Sequence, residues 1–322
     1  MIDESSIDSI EATRTLVMAA KNALYEALRQ RQSGPEICLA EMTNKRTGKS
    51  GLRIDNGAED EIRSVLELKL GNKIVIIGEE SLVSTDTIMT NLVPHGSIAA
   101  LIDPIDGTDL LELGIENWCC AGILFDPHVP AILGSVIAQA NGDIFFASTS
   151  DPDAKVWATK AGDSNETIIS RKMRGPGTCK EFNESVISFY GQKINAFRSL
   201  SKFPKLEEKF TQMEKAPPPN FRLHTLSGNP MMVRLADRAK MKDGKNTCKG
   251  IDLLFSLRDQ FLHDVVPGMF IAMKAGAHAY LLDGTPITYT MLAEKLLQPG
   301  TRMKYVLSST PELAKEFLSY IN

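Results

Sequence analysis

The 322-residue chain predicts a mixed α/β protein built from two unlike halves. Three observations carry this. Apolar residues recur at helical spacing near the N-terminus. Between about residues 73 and 180 short apolar runs separated by turn residues follow one another without helical spacing. After residue 181 strand-like and helix-like segments alternate.

Residues 6–32 place Ile7, Ile10, Leu16, Val17, Ala20, Leu24 and Leu28 on one helical face, and Ser33-Gly34-Pro35 ends the run. Residues 36–56 read as polar and turn-rich, with Lys45, Arg46 and Lys49. A second helix is expected from about Ala58 to Leu70, packing through Ile62, Val65 and Leu66, closed by Gly71-Asn72. Strands follow: "KIVIIGEES", "SIAALIDP", "NWCCAGILFD", "AILGSVIAQA" and "DIFFAS", the last entered through an Asn141-Gly142 turn. "AKVWATKAG" and "NETIIS" form a further hairpin. In the second half, "SVISFYG" precedes the charged helix "LEEKFTQMEK", and Pro217, Pro218 and Pro219 form a stiff loop. "SGNPMMVRLADRAKM" reads as a helix. "DLLFSLR", "HDVVPGMFIAMKAGA", "AYLLDG" and "KYVLSS" then lead to the C-terminal helix "PELAKEFLSYI". The division therefore falls between 1–180, an α+β half, and 181–322, an α/β half.

The formal charge is −4, with 43% hydrophobic and 24% charged residues. No long Lys/Arg stretch offers a surface for tracking phosphates, so a nucleic-acid polymer is not an expected partner. No apolar run approaches the roughly 18 residues of a membrane span. The five cysteines, at 38, 119, 120, 179 and 248, include no C-x-x-C pair, which suits reduced, buried thiols. The N-terminus "MIDESSIDSIEA" is acidic and polar rather than a signal peptide, and a cytoplasmic protein is expected.

The chemistry concentrates in "IAALIDPIDGTD", residues 98–109. Ile98 to Ile102 is the continuous apolar run of a strand covered on both faces. Pro104 has no N–H and should end the ladder. Gly107 permits a sharp bend, and Thr108 and Asp109 suit a helix start, where free N–H groups can seat a phosphate. If Asp103 and Asp106 converge they repel, and a hard cation relieves that repulsion. A capped turn, with Asp103 and Thr108 merely satisfying backbone donors, is the plain alternative. Glu79 and Glu80 end another apolar strand, and Asp264 stands where a late helix begins. Together these acids sit at element ends able to face one cleft.

"GEES", then "DPIDGT", then an Asp opening a late Gly-containing helix resembles the inositol monophosphatase family, in motif order over most of the chain. The resemblance implies a layered αβαβα fold and a Mg²⁺-dependent, lithium-sensitive phosphomonoesterase with two or three Mg²⁺ per site. Its substrate would be a small phosphate monoester such as an inositol or sugar phosphate. A 3′(2′),5′-bisphosphate nucleotidase or fructose-1,6-bisphosphatase activity belongs to the same fold, and a catalytically inactive binding member is a further alternative. Glu79, Asp103 and the Ile105 carbonyl would hold one ion; Asp103, Asp106 and Asp264 would hold another. Gly107 and Thr108 would bind phosphate through backbone N–H groups. The Thr108 hydroxyl would orient water together with an acid on the helix at 58–70, where Glu59 fits best and Asp60 is the rival. Ser227, Gly228 and Asn229 match the substrate stretch. In-line attack of an activated water, without a phosphoenzyme, is the implied mechanism, and a homodimer the implied assembly.

The chain departs from the family at His263, where Trp is common, and at Ser256, near the place of an acid that contacts inositol. A second string, Asp283-Gly284-Thr285, is similar to the haloacid dehalogenase phosphatases but has Leu281 where their nucleophilic Asp would stand. A bisphosphate would call on Arg198, Lys202, Lys205, Arg222 or Lys249.

Overall fold

The computed structural model describes residues 7–43, 50–79, 88–159, 168–191, 194–215, 223–238 and 250–322. The expectations for Lys45, Arg46, Lys49, Glu80, Pro217, Pro218, Pro219, Arg222, Cys248 and Lys249 lie outside the described residues.

Helices and sheets alternate in five layers, α, β, α, β, α. The outermost layer pairs the helices Ser9–Gln32 and Arg53–Leu70. Leu16, Val17, Leu24, Ile54, Ile62 and Leu66 bury one face of this pair against Ile98, Ala100, Ile102 and Leu124 of the large sheet. That sheet has seven strands in sequence order: Ile74–Gly78, Ile98–Asp106, Cys119–Asp126, Ala131–Gln139, Ile144–Ser148, Lys155–Thr159 and Ile168–Lys172. Only the first pair is parallel. The strand from 98 is buried on both faces throughout its apolar run, which explains why its sequence is continuous rather than alternating.

The middle layer holds the helices Asn229–Ala236, Val266–Lys274 and Tyr289–Leu296. Met232, Leu235, Met269, Phe270 and Leu292 fill the space between the two sheets, in one core shared with Ile123, Ile137, Leu254 and Leu307. The second sheet has five strands in the order Leu223–His224, Ile187–Phe189, Leu253–Phe261, Arg302–Ser308, His278–Tyr280. The helices Pro204–Lys215 and Pro311–Ile321 cover its far side through Phe182, Phe255, Leu206 and Phe317. The change of character near residue 180 falls between the last strand of the large sheet and the first strand of the small one.

Two local differences from the sequence reading matter for the site. Residues 36–56 are not all turn: Glu41–Thr43 pairs antiparallel with Ser50–Leu52, and the second helix begins at Arg53, more than a turn before Ala58. Pro104 does not end its strand. The register shifts between Asp103, opposite Ala121, and Asp106, opposite Cys119, so one extra residue bulges out and pairing continues to Asp106. A bulge accommodates a residue without an N–H and re-aims the side chains around it.

Cys119, Cys120 and Cys179 are free thiols, the first two buried, and Cys38 is buried in the outer core. Burial pushes the Cys119 and Cys120 thiols well up and Cys179 up to about 11. Among the described residues no helix is long and apolar enough to cross a membrane.

Candidate active site

Strand register builds the site. Ile74–Gly78 runs parallel to Ile98–Asp106 with Gly78 opposite Ile102. The next residue of each strand is therefore an acid, Glu79 beside Asp103, at the same carboxyl end of the sheet. The bulge at Pro104 and Ile105 then presents Asp106 a short distance further on. Asp264 arrives from the other half of the chain, two residues before the helix Val266–Lys274.

Carboxylate oxygens of Asp103, Asp106 and Asp264 lie within 4.8 Å of one another. A second group, formed by Glu79, Asp103 and His263, brings one ligand atom of each within the same distance. Asp103 belongs to both. It is buried, and its Oδ1 meets no hydrogen-bond partner. Burial pushes the Asp103 carboxyl well above the usual range, and the charges of Glu79, Asp106, Asp264 and Asp55 push it further. Asp106 is raised as well, first by loss of water and then by Asp264, although the Asn229 N–H opposes this.

A divalent cation answers these observations. An orphaned carboxylate oxygen inside a cluster of like charges is unfavourable alone and favourable around a cation. The donor set, carboxylates with the Ile105 carbonyl beside them, is that of a hard divalent ion. The residues present fit the Mg²⁺ that the sequence implies.

A cavity of about 340 Å³ opens above the cluster, lined in part by Gly107, Thr108, Asn117, Tyr190, Ser227 and Gln260. Gly107 sits at φ +96°, where an L side chain is strained, and a Cβ there would lie 3.1 Å from the Asn117 carbonyl. It caps a five-residue helix, Thr108–Glu112. The Thr108 hydroxyl lies 2.9 Å from the Ile105 carbonyl oxygen and 3.4 Å from Asp55 Oδ1.

That last contact corrects the sequence reading. The acid beside Thr108 is Asp55, in the helical turn that the sequence left as loop. Glu59 stands one turn on, on the same face, but is paired with Arg63: the Arg63 Nε–H donates to its Oε1 at 2.7 Å, while Nη1 donates to the Ile76 carbonyl at 3.1 Å. A Cβ at Gly78 would lie 2.7 Å from Glu59, so this buried ion pair sits under the strand that delivers Glu79. Asp60, the rival, is exposed and does not line the cavity.

Ser227 and Gly228 line the cavity, and Ser227 Oγ is buried with no partner. Asn229 departs from expectation as a substrate contact. Its backbone N–H donates to Asp106 Oδ2 at 2.9 Å. Its fully buried side chain donates to the His263 carbonyl at 2.8 Å and accepts from the Gly268 N–H at 2.7 Å. The amide is thus committed to holding the Asp264 segment against the large sheet.

Asp55, Asn117, Tyr190 and Gln260 are the site residues that sequence reasoning missed. Asn117 and Gln260 carry buried amide atoms without partners. The "NW" before Cys119 and the glutamine after the Arg258-Asp259 pair gave no spacing signal for either. Ser256 is buried, with its hydroxyl donated to the Arg258 carbonyl, and does not line the cavity. Arg198, Lys202 and Lys205 are exposed and away from it; among the described residues no Lys or Arg lines it. Asp283 forms an exposed turn with the Thr285 N–H, outside the cavity.

No protein-family model matches this chain, and no curated protein matches it by sequence. Solved structures match it along its length. The extragenic suppressor protein SuhB of Bartonella henselae superposes with a TM-score of 0.63 at 15% identity, covering 97% of this chain and 98% of that one. The Thermotoga maritima IMPase gives 0.61 at 14%, covering 95% and 94%. CysQ from Bacteroides thetaiotaomicron, described as a bacterial member of the inositol monophosphatase family, gives 0.59 at 15%, covering 93% and 97%. The chain has the fold of these proteins.

Proposed function

We propose that this chain, with its inositol monophosphatase fold, is a divalent-metal-dependent phosphomonoesterase acting on a small, hydroxyl-bearing phosphate monoester. One observation carries the reading: four carboxylates from both halves of the chain converge beside the Thr108 hydroxyl at the floor of a cavity of monoester size. Four ionised carboxylates would repel a phosphate dianion, and two divalent cations would offset them.

Glu79, Asp103 and the Ile105 carbonyl would hold one ion, and Asp103, Asp106 and Asp264 the other. When bound, such ions supply Lewis-acid stabilisation of the phosphoryl and leaving oxygens and lower the pKa of water. The chain's own residues do the rest. The Gly107 and Thr108 backbone N–H groups seat the phosphoryl oxygens. The Thr108 hydroxyl and the Asp55 carboxylate, in contact at 3.4 Å, together orient the attacking water beside them, with Asp55 accepting its proton. Asp103, Asp106 and Asp264, fixed by the bulge and by Asn229, would set where the ions sit relative to that water and the phosphate seat.

The neighbours' ligands support the same class. Structures of IMPase-II from Staphylococcus carry inositol monophosphate or 2′AMP, and an IMPase/NADP phosphatase is complexed with Mg²⁺ and phosphate. In this chain the cavity wall offers neutral groups, Asn117, Tyr190, Ser227 and Gln260, and no described cation. That favours a monoester whose remainder is uncharged over a bisphosphate, whose second phosphate would need a cation.

The test is a phosphate-release panel of inositol, sugar and nucleotide monophosphates and bisphosphates at fixed Mg²⁺ or Mn²⁺, with EDTA and Li⁺ arms. Metal-dependent release from neutral-bodied monoesters is expected. Release from bisphosphates alone would overturn the substrate class. No release from any ester with metal bound would favour an inactive binding protein.

A further inference from the structure

We propose that His263 is itself a ligand of the divalent ion held between Glu79 and Asp103, making that site a mixed nitrogen–oxygen site for a first-row transition ion. The inference rests on the metal-dependent reading above and concerns a side chain that reading leaves out. One ring nitrogen of His263 lies within 4.8 Å of carboxylate oxygens of both Glu79 and Asp103. For metal–ligand bonds of about 2.1 Å, ligand atoms of an octahedral ion stand about 3 to 4 Å apart. The three side chains need only a slight contraction to share an ion.

The surroundings point the same way. His263 is 2% exposed, and its ring is stacked on Phe261 with 5.2 Å between centroids. Nε2 stands 3.2 Å from Asp264 Oδ1, and Nδ1 is buried with no hydrogen-bond partner. Asp103 Oδ1, in the same cluster, is also buried without a partner. Two residues of this one group thus each carry a buried atom with no partner, a need that a shared cation would answer. Phe261 covers one face of the ring, and the Asn229 amide holds the His263 backbone carbonyl at 2.8 Å.

The consequence is metal choice. Mg²⁺ prefers oxygen donors and retained water, whereas an imidazole nitrogen favours later first-row ions such as Zn²⁺ and is accepted more readily by Mn²⁺ than by Mg²⁺. A purely carboxylate site discriminates little in favour of these ions; a carboxylate–imidazole site does.

Pulsed EPR of the full-length protein loaded with Mn²⁺ reads this directly. Wild type should show ¹⁴N modulation from a coordinated imidazole, lost in His263→Phe and His263→Gln. Calorimetric titration with Mn²⁺ and Mg²⁺ alone should show the Mn²⁺-over-Mg²⁺ affinity ratio falling at least about tenfold in either variant. Wild-type protein that binds Mn²⁺ without ¹⁴N modulation overturns the proposal, whether or not the variants fold, and leaves the phosphatase reading intact. Modulation in wild type with no phosphate release from any ester upholds the ligand and removes the phosphatase. Modulation that persists in both variants assigns the nitrogen elsewhere and overturns the proposal.

Discussion

Replacing Asp103 by Asn should stabilise the metal-free protein while destroying its function. Asp103 has carboxylate oxygens of Asp106 and Asp264 within 4.8 Å. At that separation and an effective dielectric near 20, each like-charge pair costs about 3 kcal/mol. Two such pairs would exceed what the fold need bear, because the group can take a proton instead. Holding a proton at pH 7 on a carboxyl whose ordinary value is 3.8 costs about 4 kcal/mol, which caps the penalty. Allowing for an imperfect amide fit, the variant should gain about 2 kcal/mol or more, roughly 4 °C in Tm for a chain of this size. The sign follows from proton uptake. The folded carboxyl is raised, so above pH 3.8 the native state holds more protons than the unfolded chain and stability falls as pH rises. Below the ordinary value both states are protonated and the penalty is absent. The gap between variant and wild type should therefore be near zero at pH 4 and widen towards pH 7. Thermal melts in EDTA from pH 4 to 8 measure it. Adding Mg²⁺ should reverse the order, since only the wild type gains binding free energy. A variant less stable than wild type in EDTA at pH 7, or a gap that does not change with pH, would refute the repulsion argument.

Asp55→Asn should lower turnover by about 100-fold or more while leaving the melting temperature nearly unchanged. Glu59→Gln should do the reverse in emphasis, lowering stability by about 3 kcal/mol because the buried Arg63 loses its counter-charge; paired melts and rate assays separate the two. Asn229→Ala leaves the His263 carbonyl and the Gly268 N–H unpaired in the interior and should lower stability by about 2 to 5 kcal/mol in denaturant titration. At Asp237 burial raises the carboxyl, but Arg171 and Arg174 outweigh it and hold it well below the ordinary range. Its contribution is full above pH 3.8 and lost as pH falls below that. Asp237→Asn should thus destabilise at pH 7, with the difference closing in melts under acid.

Much of this architecture could be read because each layer writes a different period into the chain. Helical spacing from Ile7 to Leu28 marks the outer helix, and unbroken apolar runs mark strands packed on both sides. The acids that meet in the cluster stand out in the sequence for a related reason: carboxylates at the ends of buried strands are costly unless capped or placed around a cation. What escaped was set by three-dimensional neighbours. The helix start at Arg53 was hidden because Gly51, Asn56 and Gly57 read as turn residues, although hairpin pairing of the preceding segment fixes where the helix begins. Moving that start back one turn exchanges Glu59 for Asp55, which stands four residues earlier on the same face. Pro104 reads as a terminator because the bulge that accommodates it exists only in the pairing, where Pro104 and Ile105 together oppose Cys120. Asn117 and Gln260 carry no local pattern at all; one precedes a strand of the large sheet and the other stands near the end of a strand of the small one, and only their packing brings both to the cavity.

The middle helices are tied directly to the large sheet. The strand Ala131–Gln139 ties down both helices that bear on the cluster. Ser135 donates its hydroxyl to the Pro267 carbonyl at 3.0 Å, and Gln139 donates its amide to the Pro230 carbonyl at 2.9 Å. Prolines in the first turns of these helices lack an N–H where the helix would leave one unpaired, and the second lone pair of each proline carbonyl accepts from the sheet. With both helices anchored, the Asn229 N–H reaches Asp106 and the Asn229 side chain sets the path of His263 and Gly268. Asp264 therefore meets Asp103 and Asp106 through the packing of the interior, not through a mobile loop. The repulsion among these acids is imposed by the core, and the fold tolerates it because the core is large. A cation entering such a site relieves strain shared by the large sheet and the middle layer, so its binding should raise the stability of the whole molecule rather than order one segment.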